Sequence, residues 1–259
     1  MLLIPPPKPR VQVTPAMIEA LLLTTTRIVT YYGAQSLTNA SGFFFARGER
    51  LFLVTSRHVM FDEPSKHNPD RLVIELHTDP HNMASSTGFS IPLYRHGKSL
   101  WRQGSDGSGE IDVAIIEIER TALPAGSVIA TFGPESLVTP ADQIEAGESI
   151  LILGFPLGFH DDFHHLPVVR QAGIASSFGM RFQGEGYFLT DARTHRGGSG
   201  APVVKRRAAT LCTQGQLPWV LLGIHSARLD VGGRDLKLDE ALGLNCAWYA
   251  DILLTLTAD

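Results

Sequence analysis

Cysteine is nearly absent from this chain of 259 residues, which contains two, Cys212 and Cys246. A disulfide framework like that of small secreted domains is therefore excluded. The two residues are also too far apart in sequence to have the spacing of a zinc-binding pair. Stability must come from a hydrophobic core, for which a content of 44% hydrophobic residues is sufficient.

An excess of charge of either sign is also missing. Lys and Arg number 22 against 26 Asp and Glu, which gives a formal charge of -4. Proteins that bind nucleic acid by neutralising phosphates carry a basic surplus, so this class of partner is excluded.

Long hydrophobic runs are missing as well. No apolar run approaches the roughly 18 residues that a membrane-spanning helix requires, so we expect no membrane partner. The first ten residues, Met-Leu-Leu-Ile-Pro-Pro-Pro-Lys-Pro-Arg, lack a basic segment followed by an apolar stretch. We therefore expect no secretory signal and a cytoplasmic location.

Helical patterning is confined to the two ends of the chain. Near the start, Thr14 can cap a helix and Pro15 suits its first turn, which predicts a short helix near 15–23. Near the end, apolar residues recur at helical spacing from Trp248 onward, which predicts a closing helix over 248–259.

Between these ends, short apolar runs alternate with turn residues, a pattern typical of an all-β protein. The clearest runs are 42–46, 51–55, 72–77, 113–118, 149–153, 168–175, 187–190, 201–204 and 219–225. Polar segments at 62–70, 79–88 and 97–110 are predicted loops, and Gly232-Gly233 is a predicted hairpin turn. The segment 121–148, rich in Pro and Gly, is predicted to connect two β halves.

Three segments each place a catalytic residue type at the end of a buried strand. Leu53-Val-Thr-Ser-Arg-His58 ends a strand with a histidine, and Ile111-Asp112-Val-Ala opens a strand with an aspartate. Arg196-Gly-Gly-Ser199-Gly-Ala-Pro sets a serine in a glycine-rich turn. Each has an ordinary explanation when taken singly, as a hydrogen-bonded histidine, a turn former or a flexible loop.

Taken together, in the order His, Asp, Ser on an all-β chain, these segments resemble the trypsin-like serine proteases of the chymotrypsin fold, particularly the bacterial group without disulfides. Ser41-Gly-Phe-Phe-Phe, Gly154-Phe-Pro-Leu-Gly and Thr190-Asp-Ala extend the likeness over nearly the whole chain. The resemblance implies two six-stranded antiparallel β-barrels with a catalytic triad in the cleft between them.

The resemblance also implies a division of the chain. Residues 1–24 are expected to form a Pro-rich extension and helix, and residues 25–259 a protease domain. Within it, the first barrel spans about 25–122, the second about 141–247, and the C-terminal helix 248–259.

The resemblance implies a role for each site residue. Ser199 is the nucleophile, a neutral His58 takes its proton, and Asp112 holds the imidazole in the required tautomer. The backbone N–H groups of Gly197 and Ser199 form the oxyanion hole, and Ser226 supports Asp112. Such an enzyme acts on a protein or peptide and needs no cofactor or metal. The oligomeric state stays open.

The residue before the scissile bond enters a pocket that the resemblance places between Thr194 and His225. The same pair is found in glutamyl endopeptidases and picornavirus cysteine proteases, which accept Glu or Gln. A hydroxyl and an imidazole would be costly to leave unpaired around an apolar side chain. Arg193 and Arg228 flank this region and favour acidic side chains if they turn inward. The alternative is a pocket that takes small aliphatic residues.

Two other functions and a metal site compete with this prediction. A protease fold that serves only as a binding module stays open as an alternative. The Gly-x-Ser-x-Gly elbow of α/β-hydrolases is disfavoured, because Ser199 precedes a strand and the histidine comes first. The loop 160–165 is rich in His and Asp, but a solvated loop rarely offers three converging zinc ligands, so contact with substrate is the favoured function there.

Overall fold

A computed structural model describes residues 18–107, 109–212, 216–226 and 243–258. The start of the predicted N-terminal helix, the Gly232-Gly233 turn and Arg228 lie outside the described residues. From Ile18 onward, the predicted N-terminal helix is represented by one 3₁₀ turn, Leu22–Thr24.

The first half of the chain forms one antiparallel sheet of seven strands in the order β5-β4-β1-β2-β3-β9-β8. The seven strands of this sheet are β1 (Thr25–Tyr32), β2 (Gln35–Arg47), β3 (Arg50–Thr55), β4 (Arg71–His77), β5 (Ser86–Pro92), β8 (Trp101–Asp106) and β9 (Gly109–Ile118). A separate small hairpin consists of β6 (Tyr94–Arg95) and β7 (Lys98–Ser99). Helix α1 (Arg57–Met60) follows β3.

Seven strands replace the predicted six because a hairpin interrupts one of them. Strands β5 and β8 are separated in sequence by the hairpin β6-β7. Leu100 N donates to Leu93 O at 2.9 Å, so the hairpin brings the end of β5 close to the start of β8. Strand β5 pairs with β4, and β8 pairs with β9. The loop predicted at 79–88 is wrong from Ser86 onward, where β5 begins. The loop predicted at 97–110 is wrong over most of its length, because β7, β8 and the start of β9 lie within it. The mostly polar side chains of these segments conceal the strand pattern.

The second half forms a six-stranded antiparallel sheet in the order β11-β10-β13-β14-β15-β12. Its strands are β10 (Ser149–Gly154), β11 (Val168–Gly173), β12 (Tyr187–Thr190), β13 (Pro202–Arg206), β14 (Trp219–Ser226) and β15 (Asn245–Tyr249). The prediction of an all-β chain made of two β halves is confirmed. The connection between them carries three short 3₁₀ turns, Arg120–Ala122, Pro134–Ser136 and Pro140–Asp142.

The C-terminal helix is shorter than its predicted span of 248–259. Helix α2 covers Ile252–Leu256, whereas Trp248 and Tyr249 belong to β15. Trp248 pairs with Tyr187 and Ile224 on its two sides, and its ring lies 5.4 Å from the Tyr187 ring. Pairing with two strands therefore overrides the local helical spacing at these positions.

The two sheets share one core. Phe43 and Phe52 of the first sheet pack in the same buried cluster as Leu153 and Leu221 of the second. This shared core fixes the two sheets against each other, and with them the relative positions of the loops at their junction. Over residues 18–107, 109–212, 216–226 and 243–258, no helix has the length and hydropathy needed to cross a bilayer.

Candidate active site

His58 and Asp112 meet at the ends of two paired strands. Strand β3 ends at Thr55, which is paired with Ala114 of β9, so α1 lies beside Asp112. The His58 Nδ1 atom lies 2.7 Å from Asp112 Oδ2, and the backbone N–H of His58 donates to Oδ1 at 2.9 Å. Two contacts to one carboxylate fix both the ring and its backbone.

Asp112 is held in turn by the second sheet. The Ser226 hydroxyl, at the end of β14, donates to Asp112 Oδ2 at 2.7 Å. Burial alone would raise the pKa of the Asp112 carboxyl, but the His58 charge and the hydrogen bonds from His58 and Ser226 outweigh burial and lower the pKa. Asp112 is therefore an anion that both sheets orient.

Ser199 lies in the loop between β12 and β13 and is buried. Its carbonyl accepts a hydrogen bond from Ser41 N at 2.9 Å. Gly200, which follows it, has a φ of +85°, and a Cβ there would meet Ser41 O and the Thr55 hydroxyl. In the part of the chain that the structure describes, the Ser199 hydroxyl has no hydrogen bond to the His58 ring. Direct side-chain contact thus joins His58, Asp112 and Ser226.

Ser41 ties the Ser199 loop to both sheets. Its hydroxyl donates to the Gly197 carbonyl at 2.7 Å and accepts from Phe155 N at 3.0 Å. The Thr55 hydroxyl donates to Ser41 O at 2.8 Å. The sequence marked Ser41 only as part of a motif. In the sequence, the signal of its structural role is a small polar residue at the start of the apolar run 42–46, and in the structure Ser41 is completely buried.

The peptide between Arg196 and Gly197 has a defined direction. Its carbonyl accepts from Leu157 N at 2.5 Å, and a planar trans peptide directs the Gly197 N–H the opposite way. Gly197 has a φ of +93°, and a Cβ there would lie 2.5 Å from Phe155 O, so only glycine fits. Within the described residues, neither the Gly197 nor the Ser199 N–H donates to a protein acceptor. Both donors are therefore free to bind an oxyanion.

Thr194 and His225 line one cavity of about 20 Å³, room for about one water molecule. His225 is completely buried, and among the described residues neither ring nitrogen has a hydrogen-bond partner. Burial, and secondarily the His58 charge, lowers the pKa of His225 to about 4, so the ring is neutral near pH 7. The Thr194 hydroxyl donates to Asn245 Oδ1 at 2.6 Å, which leaves it able to accept.

Arg170 of β11 also lines the cavity, although no sequence motif pointed to it. Arg193, which the sequence placed beside this pocket, is exposed and does not line it. Arg228 lies outside the described residues.

Two pairs of His and Asp side chains lie close together within the loop 160–165. His164 Nδ1 lies 2.7 Å from Asp161 Oδ2, and His160 Nε2 lies 3.4 Å from Asp162 Oδ1. The His77 ring approaches the His164 carbonyl at 2.6 Å, which joins the loop to the first sheet. No group of three metal-ligating side chains is present among the described residues.

Comparisons with known proteins identify the family of this sequence and its fold. The sequence matches the family described as the trypsin-like peptidase domain over residues 40–211. No protein of curated function matches it. Among solved structures, the crystal structure of the serine endoprotease from Yersinia pestis matches with a TM-score of 0.50 and 15% identity. The match covers 90% of this chain and 61% of that one, so this chain spans about three fifths of the relative's length. At this identity the likeness shows the fold.

Proposed function

The chain belongs to the trypsin-like peptidase family, and on that premise we propose that it is a serine endopeptidase that cleaves peptide bonds through an acyl-enzyme. The observation that carries the proposal is the contact of 2.7 Å between His58 Nδ1 and Asp112 Oδ2. A carboxylate at this position holds the proton on Nδ1 and leaves Nε2 as the basic nitrogen.

In the acylation step, the Ser199 hydroxyl attacks the substrate carbonyl and its proton passes to His58 Nε2. The bond from Ser199 Oγ to the carbonyl carbon forms, and the carbonyl π electrons move to oxygen. Asp112 stabilises the imidazolium, because its low pKa keeps it ionised throughout. The imidazolium then protonates the leaving amine as the C–N bond breaks.

The negative oxygen of the tetrahedral intermediate is assigned to the N–H groups of Gly197 and Ser199. The support for this assignment is that the Arg196 carbonyl is bound to Leu157 N, which turns the Gly197 N–H toward the other side of the peptide. A donor fixed in advance stabilises the transition state, and losing one costs about 2.7 to 4 kcal/mol. Deacylation repeats these steps with water as the nucleophile.

We further propose that the enzyme prefers Glu or Gln before the scissile bond. The cavity behind Gly198 presents the unpaired His225 ring and the Thr194 hydroxyl. An apolar side chain would leave the imidazole nitrogens unsatisfied in a buried site, a penalty that a carboxylate or amide oxygen relieves. A preference for small aliphatic residues is the competing outcome.

Cleavage of a peptide library tests both proposals, with Ser199→Ala as the inactive control. We expect cleavage after Glu or Gln by the wild type and none by the variant. Cleavage after Val, Ala, Lys or Arg would refute the pocket proposal and leave the endopeptidase intact. No cleavage by the wild type would favour the alternative of a binding module built on this fold.

A further inference from the structure

Arg170 occupies an unusual place for a cation. Along β11, the side chains of Val168, Arg170 and Ala172 are partly buried, whereas Val169 and Gln171 are exposed. The alternation puts Arg170 on the inner face of the strand. There it lines the same cavity as Thr194 and His225.

The Arg170 guanidinium is uncompensated. Its Nε atom is buried without a hydrogen-bond partner, and among the described residues Arg170 has no ion pair. The cavity lining is otherwise apolar or neutral, with the imidazole of His195 as its other titratable group besides His225, and it includes no Asp or Glu. Partial burial of a cation without a charge partner is costly, and an anion that entered the cavity would offset this cost.

His225 cannot supply that charge. With a pKa of about 4, its ring is neutral at pH 7 and donates one hydrogen bond. A neutral donor such as this ring serves the amide oxygen of Gln and the carboxylate of Glu alike. Discrimination between the two therefore depends on a fixed positive charge.

We propose that Arg170 is the specificity-determining residue of this pocket and pairs with the side-chain carboxylate of the residue before the scissile bond. The enzyme is then a glutamyl endopeptidase that cleaves after Glu in preference to Gln. This inference rests on the proposed function. The same cation disfavours Lys and Arg by repulsion.

The test compares two peptide substrates that differ only in Glu or Gln before the scissile bond. The wild type is expected to cleave the Glu peptide with a kcat/KM at least about 30-fold above the Gln peptide. In Arg170→Gln the ratio falls to about 1, mainly by loss on the Glu peptide, and Arg170→Lys retains part of the preference. Arg193→Gln is the matched control, because Arg193 is exposed and does not line the cavity, and its ratio stays that of the wild type.

Labelling by a fluorophosphonate separates the two levels of failure, because this probe reacts with the nucleophile and carries no side-chain carboxylate. Arg170→Gln is expected to be labelled, which shows that it folds with a reactive nucleophile. Wild type that is labelled but has equal rates on both peptides, or a ratio unchanged in Arg170→Gln, would overturn the role of Arg170 alone. Wild type that is neither labelled nor active would overturn the proposed function itself.

Discussion

The Ser41 hydroxyl donates a hydrogen bond of 2.7 Å to the carbonyl of Gly197, 156 positions away in the sequence. The same oxygen accepts from Phe155 N at 3.0 Å. One buried side chain of the first sheet therefore holds two segments of the second, the one that contains Ser199 and the one whose Leu157 N–H turns the Arg196 carbonyl. The direction of the proposed oxyanion donors depends on this junction.

Ser41→Ala is predicted to lower kcat more than it raises KM. The change leaves the Phe155 N–H and the Gly197 carbonyl unpaired in a buried site, at a cost of about 1–3 kcal/mol in the free energy of unfolding. The relaxed loop no longer fixes the Gly197 N–H, so the rate falls by about tenfold or more. Steady-state kinetics and thermal denaturation measure the two effects.

The matched control is Ser36→Ala on the same strand, where the side chain is exposed. It is expected to change neither quantity. Equal kcat values for wild type and Ser41→Ala would contradict the positioning role.

Asp112→Asn is predicted to lower kcat by about 10⁴-fold while the fold is retained. The amide can keep the contact with His58 Nδ1 but favours the wrong tautomer, since it can donate its own hydrogen there. Ser226→Ala removes one hydrogen bond to Asp112 and is expected to cost far less, about tenfold. Comparable losses in the two variants would contradict the assigned roles.

His225 is predicted to make stability depend on pH. Its pKa is about 4 in the folded protein, against 6.5 for an unperturbed histidine. Between these values the unfolded state binds more protons, so the free energy of unfolding rises with pH from about 4 to 6.5 and is lost in the other direction. The contribution over this window is about 3 kcal/mol.

Denaturant unfolding at a series of pH values from 4.5 to 7 measures this contribution, using about half-unit steps. His225→Gln is expected to flatten the curve, whereas the exposed His81→Gln is expected to keep the wild-type slope. A steep curve in His225→Gln would show that other groups cause the dependence.

Chelators are predicted to leave activity unchanged, because the proposed steps use only side chains and backbone donors of this chain. Assays in EDTA and in 1,10-phenanthroline check this. Activity that is lost with a chelator and restored by zinc would contradict the assignment and direct attention to the loop 160–165.

Much of the fold could be predicted because its central strands are apolar runs flanked by turns. The run 51–55, for example, coincides with β3 almost residue for residue. Trp101–Asp106 could not be recognised, because it is polar and becomes a strand only by pairing with β9. The prediction of a helix at Trp248 and Tyr249 was wrong for the opposite reason, because pairing with distant strands overrides the helical spacing there.

The candidate site was predictable where it is encoded in short motifs. His58, Asp112 and Ser199 are recognised from their local segments, and the structure places the first two in contact. Ser41 and Arg170 act across the two sheets or across the pocket, so their partners are distant in sequence. Arg170 carried a weak local signal, a charge at an inward position of an alternating strand, which becomes informative only once the cavity is known.

The central claim, that Ser199 is a nucleophile activated by His58, is tested most directly by mass spectrometry after reaction with a fluorophosphonate. We expect the wild type to gain one adduct, located on the peptide that contains Ser199. Ser199→Ala is expected to gain none, and His58→Ala to react far more slowly. An unmodified wild type, or an adduct that persists in Ser199→Ala, would contradict the account.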